Sequence, residues 1–245
     1  MISPYHEEIS KHYEKYPYPA YPLLGFGAWS QLESVNLKNW GIEGEVRSVW
    51  IVGCGTIAPM MFGRRNPDVS IFASDFSKSV LNVLKRRLLL FGVRNVKPVH
   101  EDLMETRYQE AFDAIDCFGV LHHTFSPSLG LDRLVNALRT GGVLRLMIYR
   151  REARHLIEDL RREVVEMGIR ELSGVRKFLS GRKVDLKGDL SSSSGIADAL
   201  LNPIVHTFDE EALESLLKTQ PRLKILKRSE SGNWTLYLQK MGQGT

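Results

Sequence analysis

The stretch IVGCGTIAP, residues 51–59, sets Gly53, Gly55 and Ala58 in a G-x-G-x-x-G/A pattern behind an apolar run, and Asp75 stands 22 positions after Gly53. A glycine turn between a buried strand and a helix aims backbone N–H groups at a ligand, and the helix dipole favours an anion there. That anion is a phosphate or an amino-acid carboxylate; the plain alternative is that the glycines only permit a tight turn. Asp75 closes the run VSIFASD, where a carboxylate can accept two hydrogen bonds from ribose hydroxyls. Asp102, in HEDLM, ends the next run, where an acceptor can read an adenine amino group while Leu103 covers the ring. Either acid alone is equally well a helix N-cap or a solvated loop residue. Two acids ending consecutive strands beside a glycine turn point instead to a ligand at the carboxyl edge of an open α/β sheet.

The elements that must position these residues follow from the apolar pattern. From Val46 onward short apolar runs alternate with amphipathic segments, as in βαβ units on a parallel sheet. VRSVWIVG (46–53) reads as the first strand and VSIFASD (69–75) as the second. A helix follows, capped by Ser77, carrying Val80, Leu81, Val83, Leu84 and Leu88, and ended by Gly92. VKPVHED (96–102) is a third strand weakened by Pro98, and FDAIDCFGV (112–120) a fourth. LGLDRLVNALRTGG reads as a helix stopped by its glycine pair before a fifth strand, VLRLMIY (143–149). The stretch after Arg150 looks helical, with a Ser-rich loop at 191–195. A helix capped by Thr207 or Asp209 and two strands around a Ser-Gly-Asn turn close the chain. So short a turn makes the final pair antiparallel.

The composition agrees with one domain carrying appendages. The chain has 245 residues, 43% hydrophobic and 25% charged, enough for one sizeable core and too ordered for a disordered chain. No apolar run approaches the roughly 20 residues of a membrane span, and MISPYHEEIS lacks the order of a signal peptide, so a cytoplasmic protein without a membrane partner is expected. Two cysteines, Cys54 and Cys117, build neither a disulfide framework nor a four-thiolate site, and no metal is expected. The net charge of +4 is mild and its Arg pairs are dispersed, which fits a solvated surface better than a nucleic-acid face.

In this order and spacing, VWIVGCGT, SDFS, HEDLME, FDAIDCFGVLHHT and LRTGGVLRLMIY resemble the successive motifs of class I S-adenosylmethionine-dependent methyltransferases. The resemblance covers Arg47 to Tyr149 well and the closing strand pair more loosely. It implies a Rossmann-like, seven-stranded, mostly parallel α/β sheet with helices on both faces and an antiparallel last strand, binding S-adenosylmethionine. Carried over by position, Gly53, Cys54 and Gly55 would line the methionine moiety, Asp75 with Phe76 the ribose and adenine, and Asp102 with Leu103 the adenine. Cys117 and Phe118 would form the wall where the fourth strand ends. Two positions depart from the family. Ile51 stands where an acid often helps orient the methionine end, and Ile57 stands where a third glycine often lies. HYEKYPYPAYP (12–22) resembles the Tyr-Glu-x-x-Pro-Tyr-Pro element ahead of methyltransferase domains in a poorly characterised bacterial group.

The resulting division is a single methyltransferase domain over 1–245. It comprises an N-terminal arm or lid (1–40), a cofactor-binding core (41–149), a helical substrate-side insertion (150–205), and a closing helix with its strand pair (206–245). Tyr13, Tyr16, Tyr18 and Tyr21 either close over a ligand or pack the arm on the sheet edge. His122 and His123 either take a proton from the acceptor or shape their loop; His206 is the next candidate base, with helix initiation as its plain role. The acceptor is a small molecule or a protein side chain. A catalytically idle partner subunit and an NAD(P)-dependent oxidoreductase are the competing readings. Base amino methylation is disfavoured, since GVLHHT follows the fourth strand in place of an Asn-Pro-Pro-aromatic motif.

Overall fold

The computed structural model describes residues 4–16, 35–182, 184–229 and 232–242. Five strands, β1 (Ser48–Val52), β2 (Ser70–Asp75), β3 (Val96–His100), β4 (Phe112–Phe118) and β5 (Leu138–Ile148), pair in parallel. Two closing strands, β6 (Leu223–Ser229) and β7 (Trp234–Lys240), complete one seven-stranded sheet in the order β3-β2-β1-β4-β5-β7-β6. β7 runs antiparallel to both of its neighbours. Pro98 is tolerated because β3 lies at the sheet edge, where a missing N–H costs no ladder bond.

Both faces of the sheet are covered, which explains why its strands read as nearly continuous apolar runs. On one face Trp50, Ile115, Leu144 and Leu236 pack under α4 (Pro127–Ala137) and α8 (Glu210–Lys218). On the other, Val49, Ile51, Ala114 and Val143 meet α2 (Ala58–Arg65), α3 (Lys78–Leu90) and Trp40. The region after β5 folds as α5 (His155–Glu166), α6 (Leu172–Ser180) and α7 (Ser193–Leu201) around a small core of its own, including Leu160, Val164, Val175 and Leu200. The N-terminal helix α1 (Pro4–Lys15) is tied to this insertion by Lys15, whose ammonium lies 2.7 Å from Glu171.

One boundary differs from the expectation. The glycine pair does not stop a helix: α4 ends at Ala137, and Gly141 and Gly142 lie inside β5. Gly142 is required there by close strand approach, since a Cβ on it would stand 2.7 Å from the Asp113 carbonyl oxygen. Among the described residues no helix is long and apolar enough to cross a membrane, and no group of three or more His, Cys, Asp or Glu is placed to hold a metal ion.

Candidate functional site

The carboxyl ends of β1, β2, β4 and β5 open onto a cleft of about 550 Å³, a size suited to a small ligand. Its floor is the turn after β1. Gly53 and Gly55 hold φ of +53° and +60°, and a Cβ on Gly53 would lie 2.4 Å from Val120 Cγ2. Both positions therefore need glycine, for backbone conformation and, at Gly53, for space. Gly53→Ala is expected to cost about 1–3 kcal/mol, read as a lower urea midpoint with an unchanged m-value.

Beyond the turn, Ile57 is the N-cap of α2 and gives no side-chain cap, and Pro59 in the first turn brings no N–H. The Thr56 hydroxyl is buried beside this helix start with no partner. An orphaned polar atom on a cleft wall is where a polar ligand atom would be satisfied.

Asp75 joins the turn to the second strand. Its Oδ2 accepts from the Gly55 N–H (3.1 Å) and its Oδ1 from the Ser77 N–H (2.9 Å). Burial raises its pKa from the ordinary 3.8 to about 6, against the pull of those two N–H groups. A carboxylate offers about four lone-pair sites, so hydroxyl donors can still be received on the cleft side. Asp102 caps the 3-10 turn Leu103–Glu105 through the Met104 N–H (2.9 Å) and lines the cleft as well, so the cap and the ligand wall are one residue.

Gly53, Cys54, Gly55, Asp75, Phe76, Asp102, Leu103 and Phe118 thus share one cleft. Cys117 is fully buried in the sheet and is absent from the cleft lining; burial pushes its thiol pKa well up.

Two charged residues that sequence reasoning missed also line the floor. Arg145 on β5 donates from Nε (2.7 Å) and Nη2 (2.8 Å) to the two oxygens of Asp116 on β4. Its guanidinium lies near the rings of Phe118 (4.9 Å), Trp40 (5.2 Å) and Phe62 (5.7 Å). The signal in the sequence was Asp116 and Arg145 standing between apolar neighbours in two strand runs.

A family model described as a methyltransferase domain matches residues 50–144. The chain is also 27% identical over 170 residues to an uncharacterised protein of Synechococcus sp.; that match covers 64% of this chain and 40% of the relative, so the chain spans well under half of the relative's length. Among solved structures it is similar to PKMT2 from Rickettsia typhi in complex with AdoHcy (TM-score 0.63, 14% identity, 93% of this chain and 55% of that one). It is similar too to an S-adenosylmethionine-dependent methyltransferase from Clostridium acetobutylicum (TM-score 0.57, 14% identity, 89% and 92%). At these identities the likeness is one of fold.

The far wall of the cleft comes from α1, the loop after β4 and the insertion. Tyr13 and His123 line it; His122 and His206 do not. The Tyr13 hydroxyl donates to Asp198 Oδ1 on α7 (2.8 Å) and accepts from the Asn202 amide (2.9 Å). The Tyr149 hydroxyl reaches Asp198 Oδ2 at 3.4 Å, and His123 Nε2 stands 3.6 Å from the same oxygen. Nδ1 of His123 lies 2.8 Å from the Ile204 carbonyl, which assigns its proton to Nδ1 and leaves Nε2 as an acceptor. Burial lowers the His123 pKa, with the Asp198 charge opposing, so the ring is neutral near pH 7.

His122 is wholly buried, packs on the Tyr149 ring at 3.7 Å, and has no hydrogen-bond partner on either nitrogen; burial holds its pKa well below the ordinary value. His206 meets the Thr124 carbonyl at 3.0 Å, and its backbone N–H donates to the His122 carbonyl, so this pair shapes the loop. Tyr16 faces Glu171 at 3.4 Å, away from the cleft lining. Tyr18 and Tyr21 lie outside the described residues. Asp198 was missed because its helix follows a Ser-rich loop and gives no chemical signal of its own.

Proposed function

We propose that the chain transfers a methyl group from S-adenosylmethionine to an acceptor that enters between α1, the loop after β4 and the helical insertion. The carrying observation is the glycine turn, whose orphaned Thr56 hydroxyl and Asp75 carboxylate leave polar valence directed at one cleft. In this reading Gly53, Cys54 and Gly55 hold the methionine moiety, Asp75 and Phe76 the ribose and adenine, and Asp102 and Leu103 the adenine. When bound, the cofactor supplies a methyl group on a sulfonium, ready for in-line displacement.

Holding the acceptor near contact in a dry site is the larger part of such catalysis. Phe118, Val120, Met147 and Tyr149 give the cleft an apolar wall beside the reacting centre. His123 receives a proton at Nε2 where the acceptor carries one. Its neutral state near pH 7 suits that task, and Asp198 stabilises the charge that results. The acceptor is a small molecule or a protein side chain.

The test is incubation with S-adenosylmethionine carrying a radiolabelled methyl group, together with metabolite and protein fractions of a bacterial lysate. Label is expected in one fraction, and His123→Gln is expected to slow its transfer by about 100-fold or more while S-adenosylhomocysteine still binds. Weak or absent cofactor binding, with no label transferred to any fraction, would favour the idle-subunit reading instead.

A further inference from the structure

We propose that Asp116 receives the α-ammonium group at the amino-acid end of the bound cofactor, with Arg145 fixing the carboxylate in place. This rests on the reading of the cleft as an S-adenosylmethionine site and assigns a residue to its least defined end. The strand registers set Ala73, Ile51, Asp116, Arg145 and Tyr237 side by side across five strands, so their side chains share one face. Ile51, beside the glycine turn, brings no polar atom. The carboxylate that the row offers to the cleft stands one strand further on.

The acids of the cleft divide by position. Asp75, Glu101 and Asp102 lie towards β2 and β3, where they suit the nucleoside end. Asp189 belongs to the insertion and is paired with Arg154 at 2.6 Å. With the nucleoside placed at Asp75 and the chain of the ligand crossing the glycine turn, its amino-acid end falls on the β4–β5 side. Among the described residues lining the cleft, Asp116 is the acid the sheet presents there.

Arg145 donates one hydrogen bond to each oxygen of Asp116, and a carboxylate can accept about two more. An isolated buried ion pair is weak for stability, because apolar residues of similar volume usually serve as well. A pair that opens onto a cleft has a use: an amino-acid zwitterion is itself a plus and a minus at fixed spacing, and meets such a pair with opposite polarity.

Calorimetry of the full chain with S-adenosylhomocysteine, which has the amino-acid end, and 5′-methylthioadenosine, which lacks it, tests this assignment. Asp116→Asn is expected to weaken S-adenosylhomocysteine binding by about tenfold or more and to leave 5′-methylthioadenosine within about twofold. Because Asp116→Asn leaves a buried guanidinium without its anion, the double variant Asp116→Asn/Arg145→Gln is measured in parallel, with circular dichroism melting to follow folding. The same selective loss in either folded variant supports the proposal. An unchanged S-adenosylhomocysteine affinity, or equal losses for both ligands, overturns it while the proposed function stands. A wild-type chain that binds neither ligand overturns the proposed function first.

Discussion

Asp75→Ala is expected to weaken S-adenosylhomocysteine binding by about 100-fold or more, since in the proposed function Asp75 receives two charge-assisted hydrogen bonds from ribose hydroxyls, worth about 1.5–3 kcal/mol each. The change also removes the acceptor that holds the Gly55 and Ser77 N–H groups, so the glycine turn keeps only its Cys54 N–H to Ser74 carbonyl bond to the end of β2. The melting temperature is expected to move little, because the buried carboxylate is itself costly; its raised pKa measures that cost.

The pH dependence has a definite sign. With a folded pKa of about 6 against the ordinary 3.8, Asp75 holds its proton more tightly in the folded chain. Its contribution to stability is therefore complete below pH 3.8 and is lost as pH rises through about 6. Ligand binding runs the other way, because the ionised carboxylate is the better acceptor. Affinity for S-adenosylhomocysteine should rise from about pH 5 to about pH 7.5, and Asp75→Ala should flatten that rise.

Arg145→Met is expected to cost about 3–5 kcal/mol of stability at pH 7, because it leaves the Asp116 carboxylate buried without its cation. The side chains of the pair are 5% and 2% exposed, so water screens the orphaned charge only weakly. The Arg145 stem and guanidinium also pack between Trp40, Phe62 and Phe118, a contact methionine only partly restores. The variant's carboxyl escapes by protonation, so its deficit should shrink as pH falls towards 5. Urea unfolding at pH 7 and pH 5 checks both statements. Asp116→Leu in the same chain should recover most of the loss; a double variant as unstable as Arg145→Met would mean that packing, not charge, sets the cost.

What could be read from the sequence was local. β1, the glycine turn, Asp75 and Asp102 are written in contiguous runs whose periodicity and turn chemistry carry the signal, and the short turn before β7 forces an antiparallel ending. The Asp116–Arg145 pair was not legible, because its two halves are 29 residues apart and meet only through the β4–β5 register. The Asp198 cluster was hidden for the same reason: the Tyr13 hydroxyl that meets it is 185 residues away. The glycine pair misled because Gly-Gly after an amphipathic run reads as a helix stop, whereas close strand approach at Gly142 is a tertiary demand. Of the three histidines singled out, chain position alone could not tell that the structure turns His123 to the cleft and packs His122 behind it.

Which ligand the glycine turn accepts decides the function of the cleft. Isothermal calorimetry of the full chain with S-adenosylmethionine, S-adenosylhomocysteine and NAD is the measurement that decides it. Micromolar binding of the two adenosyl ligands, with no heat from NAD, is the predicted result. Binding of NAD with silence from both adenosyl ligands would contradict it.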